Sequence, residues 1–167
     1  YFFLINILNI IIIMNIITWN VRGLNSPARR LDLTNLLKTE NPSIVGLLEH
    51  KLDDHKIKDY HIKSLTNWNI VNNNQMGGNG RIMVMWDPNI WDITHHFVNF
   101  QFIHCKCTNK GGFQIEITFV YASNSELERF NLWNNIDQIN SNMHSPWIIL
   151  GDFNTIMHAN EKGGDSL

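Results

Sequence analysis

Three short segments of the chain are apolar at every position: residues 44–48, 82–86 and 147–150. Apolar runs of roughly four to eight residues are typical of strands covered on both faces, because a strand with one exposed face alternates apolar and polar side chains. Strands of this kind need packing layers on both sides of their sheet. The three segments therefore constrain the chain to a layered fold.

Two further segments carry the start and stop signals of helices. Pro27 suits the first position of a helix, and Pro42 ends that helix because proline steers the preceding residue away from helical torsion angles. A second helix is predicted over residues 126–142, where Ser125 and Glu128 have the spacing of a capping box. Apolar residues recur at helical intervals in both, which gives each helix one apolar face.

The rest of the chain is rich in strand patterns, whereas residues 53–64 fit a short helix or a loop. Strands interspersed with a few helices indicate an α/β protein, and the hairpin-like strands in the middle of the chain favour mixed sheets. We predict a layered sandwich of two mixed β-sheets flanked by helices. Besides the three apolar runs, the predicted strands are residues 14–19, 68–71, 91–97, 102–107 and 113–121.

Composition and charge limit the functions that the chain can have. Its 167 residues fall in the size range of one domain, and 44% of them are hydrophobic, which is enough for a sizeable core. The formal net charge is −2, and eight of the thirteen Lys and Arg residues lie between Arg22 and Lys63 together with six acids. A nucleic-acid partner would therefore be held by local contacts, not by a strong overall field.

The two cysteines predict a reduced, intracellular protein without a disulfide partner. Cys105 and Cys107 alternate along a predicted strand, so their side chains share one face with a geometry unsuited to a disulfide. His104 points to the opposite face of that strand, and so these three residues do not indicate a zinc site.

The N-terminal segment is very apolar but has the features of neither a membrane span nor a secretory signal. Residues 1–17 contain three asparagines, fall short of the ~20 residues of a spanning helix and have no basic flank. We predict no membrane association. Met14 begins the first recognisable strand, so we interpret residues 1–13 as an upstream extension and residues 14–167 as the domain.

Polar residues follow three predicted strands at the point where each strand ends. Asn20 ends the first strand, Glu49 the second, and Asp152 with Asn154 the last. Strand ends are where α/β sheets build sites, and the oxygens of Glu49 and Asn20 suit Mg²⁺. Asp152 can deprotonate an attacking water, and Asn154 can donate a hydrogen bond to a phosphate oxygen. Together they fit metal-assisted phosphodiester hydrolysis.

The same residue types also have an ordinary structural interpretation. Asn and Asp after a strand commonly cap turns, and a Glu in that place is often merely solvated. Tyr121 is a further candidate that fits a core aromatic equally well, while Arg22 and Arg81 fit either phosphate ligands or solvated side chains. Spacing alone leaves both interpretations open.

Four motifs, in this order, resemble the endonuclease/exonuclease/phosphatase superfamily: Thr18-Trp19-Asn20-Val21-Arg22-Gly23-Leu24, Leu47-Leu48-Glu49, Val120-Tyr121 and Leu150-Gly151-Asp152-Phe153-Asn154. Finer details are similar to the endonuclease domain of plant non-LTR (LINE-type) retrotransposons, and the similarity spans residues 14–167. These details are Arg22-Gly23-Leu24-Asn25, the Gly-rich loop before residue 82, Leu132-Trp133 and Glu161-Lys162-Gly163-Gly164.

The resemblance implies a DNase I-like fold, a divalent metal and a role for each matched residue. It implies that Asn20 and Glu49 bind Mg²⁺, with Mn²⁺ as a possible substitute. It further implies that Tyr121 contacts the scissile phosphate, Asp152 activates water and Asn154 binds the phosphoryl oxygen. Arg22 and Arg81 are weaker candidates for substrate binding.

One departure from the family pattern limits what these roles predict. Family members carry a Ser-Asp-His motif well after Gly-Asp-Phe-Asn, which supplies a histidine and a second carboxylate, whereas this chain ends thirteen residues after Asn154. We therefore expect a fold that is incomplete at the C-terminus and a chain that by itself has very weak or no turnover.

The resemblance implies DNA as partner, a reverse transcriptase domain in the full-length gene product, and action in the nucleus. Two alternatives stay open. In the first, the chain is non-catalytic and is a retroelement remnant or a nucleic-acid-binding module. In the second, it is a phosphatase or phosphodiesterase of the same superfamily that acts on a non-DNA substrate.

Overall fold

A computed structural model describes residues 2–9, 12–59, 67–77 and 81–155 of the chain. The helices are α1 (Pro27–Glu40), α2 (Asp54–Asp59) and α3 (Glu126–Ser141). The strands are β1 (Phe2–Asn9), β2 (Ile12–Asn20), β3 (Ile44–Leu48), β4 (Asn69–Asn72), β5 (Ile82–Trp86), β6 (Trp91–Val98), β7 (Phe102–Asn109), β8 (Gln114–Tyr121) and β9 (Trp147–Asp152).

The strands form two mixed sheets, which confirms the predicted α/β architecture. The first sheet has the order β1-β2-β3-β5-β4 and the second has the order β6-β7-β8-β9. Only the β2–β3 and β8–β9 pairs are parallel; the other described pairs are antiparallel. The two parallel pairs place the C-terminal ends of β2 and β3 together in one sheet and those of β8 and β9 together in the other.

The core is divided into layers. The two sheets pack face to face through a cluster of buried apolar side chains that includes Ile44 and Val84 from the first sheet and Ile117 from the second. Leu33 and Leu37 of α1 pack on the outer face of the first sheet, and Leu132 and Ile136 of α3 pack on the outer face of the second. The fold is a helix–sheet–sheet–helix sandwich, as in DNase I-like proteins.

A glycine at the centre of β3 sets the distance between the two sheets. A Cβ atom added to Gly46 would lie 2.1 Å from Cδ1 of Phe119 on β8, because the phenyl ring occupies the space in which a side chain would stand. Both strands are buried at this point, and Phe119 has no exposed surface. The ring therefore packs directly on the backbone of β3.

Helix α3 begins at residue 126, where the sequence predicts it, but its N-terminus is not stabilised by the predicted capping box. Ser125 makes no side-chain capping bond to the helix, so the capping box predicted from Ser125 and Glu128 is wrong. The hydroxyl of Ser123 takes that place: it accepts the backbone N–H of Ser125 and donates to the Glu128 carboxylate. Gln101 fixes this serine by accepting its N–H, so the cap depends on a tertiary contact that spacing cannot reveal.

The two cysteines lie on one face of β7, as predicted. Both are free and buried between the sheets. Burial raises the pKa of the Cys105 thiol to about 12 and raises that of Cys107 as well. Both side chains are therefore protonated, apolar parts of the core near neutral pH.

The apolar N-terminal segment forms a strand in this structure. β1 pairs antiparallel with β2 at the edge of the first sheet, with Phe2 opposite Trp19 and Asn9 opposite Ile12. The assignment of residues 1–13 to an upstream extension stays a prediction. No helix in the described part of the chain combines the length and the apolar character needed to cross a bilayer.

Replacing Gly46 with alanine should destabilise the fold. The added methyl group would overlap the Phe119 ring, so the sheets must separate or the ring must leave its position. We expect the free energy of unfolding to fall by about 1–3 kcal/mol, the usual range for overpacking a core. Urea denaturation of Gly46→Ala and the parent chain measures this difference.

Gly111→Ala is the matched control. A Cβ at Gly111 would lie 3.3 Å from a side-chain oxygen of Asn109 in the β7–β8 turn, so its neighbour has to move much less. Equal destabilisation by the two substitutions would contradict the role given to Gly46.

Candidate active site

The C-terminal ends of four strands, two from each sheet, meet at one edge of the sandwich. Asn20 ends β2 and Asp152 ends β9, and Asn20 Nδ2 donates a hydrogen bond of 3.0 Å to Asp152 Oδ2. This bond joins the two sheets directly. The edge therefore carries side chains from both sheets within contact distance of one another.

Glu49 follows β3 in a loop with unusual backbone geometry. Its φ angle is 55°, in the left-handed region that non-glycine residues seldom adopt, and its backbone N–H donates to the carbonyl of Arg81. The carboxylate Oε1 lies 2.7 Å from Nζ of Lys51. The chain reverses sharply after β3, and the side chain of Glu49 stays partly exposed at the edge.

Lys51 is the site residue that the sequence analysis missed. It also has a φ angle of 55°, and the hydrogen bond and negative charge of Glu49 raise the pKa of its ammonium group. The sequence signal that could have identified Lys51 is its position two residues after Glu49, at the end of a strand. The ion pair is half exposed, so it orients the carboxylate more than it stabilises the fold.

The carboxylate of Asp152 is held by two donors. Oδ2 accepts from Asn20, and Oδ1 accepts the backbone N–H of Asn154 at 3.1 Å. Asn154 has a φ angle of 48°, and its Nδ2 donates to the carbonyl of Ala122 after β8. Both oxygens of Asp152 are thus oriented, and the turn that carries them is tied to the neighbouring strand.

The glycine that precedes Asp152 is required by strand packing. A Cβ on Gly151 would lie 1.9 Å from the carbonyl oxygen of Val120 on β8. On the outer side of the same turn, the ring of Phe153 stacks on Trp133 of α3, with centroids 5.7 Å apart and an interplanar angle of 2°. The turn is therefore enclosed by β8 on one side and α3 on the other.

Tyr121 is the register partner of Asp152 on β8, so it faces the same edge. Burial raises the pKa of its phenol, and the negative charges of Glu49 and Asp152 raise it further. The positive charges of Arg81 and Lys51 act in the opposite direction. Tyr121 thus senses charges from both sheets, and its phenol is a neutral donor near neutral pH.

The two candidate arginines, Arg22 and Arg81, lie in different places relative to the site. Arg81 lies close enough to affect the Tyr121 phenol, and its carbonyl accepts from Glu49. Arg22 is exposed: its backbone N–H donates to Asn20 Oδ1, whereas its guanidinium makes no hydrogen bond or ion pair within the described residues. The structure therefore brings together six of the seven predicted side chains and leaves the Arg22 side chain at the rim.

The oxygens at this edge fit a hard divalent cation. One oxygen of Glu49 lies outside the ion pair with Lys51, and Oδ1 of Asn20 accepts a single backbone N–H, which leaves it a second lone pair. Within the described ranges, no group of three or more His, Cys, Asp or Glu side chains could hold a metal. One carboxylate with one amide suits an ion that keeps several waters, such as Mg²⁺.

A sequence profile of the Endonuclease/Exonuclease/phosphatase family matches residues 17–164 of the chain. None of the curated proteins matches it. The match includes all the candidate residues described above. It also includes residues 161–164, named in the sequence analysis, which lie outside the described residues.

Solved structures share this fold at low sequence identity. A mannosyl-6-phosphatase from Bacteroides thetaiotaomicron has 15% identity and a TM-score of 0.68, over 87% of this chain and 67% of that one. TDP2 from C. elegans has 16% identity and a TM-score of 0.64, over 90% of this chain and 49% of that one. The human Nocturnin catalytic domain with bound sulfate has 18% identity and a TM-score of 0.62, over 86% of this chain and 64% of that one.

At such identities the likeness shows the fold alone. The chain spans about half to two thirds of the length of the solved structures, for example 62% of an endonuclease/exonuclease/phosphatase family protein from Bacteroides thetaiotaomicron and 49% of C. elegans TDP2.

Removing the negative charge of Glu49 and removing the positive charge of Arg81 should shift the pKa of Tyr121 in opposite directions. Replacing Tyr1 and Tyr60 with phenylalanine leaves Tyr121 as the sole tyrosine. In that background, Glu49→Gln removes a negative charge and should lower the pKa of Tyr121, whereas Arg81→Gln removes a positive charge and should raise it. Tyrosinate absorbance followed against pH measures both shifts.

Asp32→Asn is the control, because this carboxylate on α1 pairs with Arg29 and is not among the charges that shift the pKa of the Tyr121 phenol. Shifts of the same sign for Glu49→Gln and Arg81→Gln would show that these side chains do not converge on Tyr121.

Proposed function

The chain belongs to the endonuclease/exonuclease/phosphatase family, and on this premise we propose that it hydrolyses phosphodiester bonds in DNA with a divalent metal, preferably Mg²⁺. The observation that carries the proposal is the hydrogen bond between Asn20 and Asp152. It links the oxygen ligands at the end of the first sheet to the candidate base at the end of the second. A scissile phosphate can thus contact both groups at once.

Asp152 is suited to act as a general base towards water. Its two donors, Asn20 Nδ2 and the N–H of Asn154, fix the direction of the carboxylate and leave it lone pairs that can accept a proton. A base oriented in this way accelerates hydrolysis by removing the proton of the attacking water as the new P–O bond forms. The P–O bond to one sugar oxygen breaks, and that leaving oxygen takes up a proton from solvent.

Two further donors are placed for the phosphoryl oxygens. Asn154 donates one N–H of its side-chain amide to the Ala122 carbonyl, and the second N–H is available to donate to a ligand. The phenol of Tyr121 is protonated near neutral pH, and its raised pKa keeps it protonated to a higher pH than an ordinary tyrosine. Both groups can donate to oxygens on which negative charge develops as the phosphate is attacked.

Glu49 and Asn20 would hold the metal ion, which when bound supplies positive charge that polarises the phosphate. Lys51 Nζ lies 2.7 Å from Glu49 Oε1, and this ion pair directs the carboxylate at the edge. The same ammonium group adds a positive charge for a phosphate backbone.

DNA is the proposed substrate because of the cations around the edge and the retrotransposon-type motifs of the sequence. Lys51 and Arg81 lie beside the site and Arg22 lies at its rim, so three positive charges surround it although the whole chain has a net charge of −2. Such local cations bind backbone phosphates without reading sequence. Action in the nucleus, within a protein that also carries a reverse transcriptase domain, is part of the proposal.

One relative favours a second candidate function. The mannosyl-6-phosphatase from Bacteroides thetaiotaomicron shares this fold with a TM-score of 0.68. The same edge could bind a terminal phosphate of a sugar instead of an internal phosphodiester, since the proposed roles of Asp152 and the metal ligands are the same in both reactions.

A plasmid-nicking assay with Mg²⁺ tests the proposal. The assay is run on this chain and, where its gene encodes a downstream Ser-Asp-His motif, on a version extended to that motif, and sugar phosphates are offered in parallel. In the extended version we expect nicking that EDTA abolishes and that Asp152→Asn lowers at least about 100-fold, because the amide cannot accept the proton.

Asp53→Asn is the control, because this exposed acid pairs with Lys56 and lies outside the site. Phosphate release from sugar phosphates without nicking would favour the second candidate. Absence of both reactions in a folded extended protein would contradict the hydrolase proposal and favour a non-catalytic nucleic-acid-binding remnant.

A further inference from the structure

A surface cavity of about 310 Å³, largely open to solvent, lies between α3 and the outer face of the second sheet, away from the candidate active site. Phe97, His104 and Glu116 on the sheet form its floor. Three side-chain amides line the opposite wall: Asn135 and Gln138 of α3, and Asn142 at the C-terminal end of that helix. Glu116 precedes Tyr121 by five residues on β8, which corresponds to about 16 Å along an extended strand.

A chain of hydrogen bonds fixes the protons on the floor of the cavity. Trp147 Nε1 donates to Thr118 Oγ1 at 2.8 Å, and the same hydroxyl lies 2.9 Å from His104 Nδ1. Thr118 is fully buried, so its own proton finds an acceptor only in an unprotonated His104 Nδ1. The proton of the imidazole therefore lies on Nε2, which donates to Glu116 Oε2 at 2.9 Å.

This arrangement keeps the imidazole neutral and leaves the cavity with a negative charge. Burial lowers the pKa of His104, and the hydrogen bond and charge of Glu116 oppose that effect only in part. Glu116 is mostly buried, with 13% of its side chain exposed, and its Oε1 makes no hydrogen bond within the part of the chain that the structure describes. A carboxylate oxygen is thus available to a ligand at low solvent exposure.

The α3 wall adds acceptors and no positive charge. Asn135 and Asn142 each donate a side-chain N–H to a backbone carbonyl of α3, so their Oδ1 atoms remain available as acceptors. Lys106 is the cross-strand partner of Glu116, but its ammonium forms no ion pair with that carboxylate and does not line the cavity. Among the described lining residues, none is Lys or Arg.

We propose that this cavity binds an alkyl guanidinium or ammonium group, with Glu116 as its anionic partner and the α3 amide oxygens as further acceptors. The exposed ring of Phe97 offers the face on which such a cation packs. The cavity has the size of small-ligand sites, about 300–1,000 Å³. The group can come from a free small amine or from the arginine side chain of a partner protein.

Calorimetric titration of the full chain with agmatine, which carries a guanidinium at one end of a four-carbon chain and an ammonium at the other, tests the proposal. We expect saturable binding and a shift of the imidazole NMR signals of His104. Glu116→Gln keeps the shape of the wall but removes its charge and should weaken binding about tenfold or more. Gln138→Glu adds a carboxylate to the wall and should tighten binding, so the test remains decisive even if Glu116→Gln fails to fold.

Asp137→Asn, which removes one exposed carboxylate of α3 that does not line the cavity, is the matched control and should leave binding unchanged. Butylurea, a neutral ligand of similar shape, should not bind. Binding of a capped Gly-Arg-Gly peptide as strong as that of agmatine would assign the cavity to a partner's arginine, and binding of agmatine alone would assign it to free amines. Equal binding of agmatine by the parent chain, Glu116→Gln and Gln138→Glu, or no binding, would overturn the proposal.

Discussion

The contact of the Phe119 ring with the backbone of β3 at Gly46 determines how closely the two sheets approach each other. The hydrogen bond between Asn20 and Asp152 spans the gap between the sheets, so it depends on that approach. Phe119 lies two residues before Tyr121 on β8, and Gly46 lies three before Glu49 after β3. The packing of a ring on a glycine in the core thus places the polar groups at the edge.

Backbone geometry gives the edge a fixed shape. The described non-glycine residues with positive φ are Arg22, Asn41, Glu49, Lys51 and Asn154, and all except Asn41 lie in the loops of the candidate site. Conformations of this kind cost free energy, and they persist where surrounding contacts hold them. Here the contacts are the Asx-type hydrogen bonds of Asn20 and Asp152 and the ion pair of Glu49. Contacts within the chain itself therefore hold the groups of the candidate site in place.

Much of the fold could be predicted from local patterns, whereas the details of the site depend on tertiary contacts. β3 and β5 match the predicted segments because apolar runs between turn residues leave few alternatives. The Ser123 cap of α3 escaped prediction because Gln101, on a distant loop, positions it. Lys51 escaped because its role depends on a left-handed turn that one sequence does not reveal. The cavity beside His104 requires both the β7–β8 register and the packing of α3, so spacing could not indicate it.

The central claim is that side chains from the two sheets form one coupled site, and a double-mutant cycle between Asn20 and Asp152 tests it most directly. The free energy of unfolding is measured for the parent chain, Asn20→Ala, Asp152→Ala and the double variant. The hydrogen bond of 3.0 Å predicts a coupling energy of about 1 kcal/mol, so that the double variant loses less than the sum of the single losses. Additivity within about 0.3 kcal/mol would show that the two sheets do not share a site at this edge.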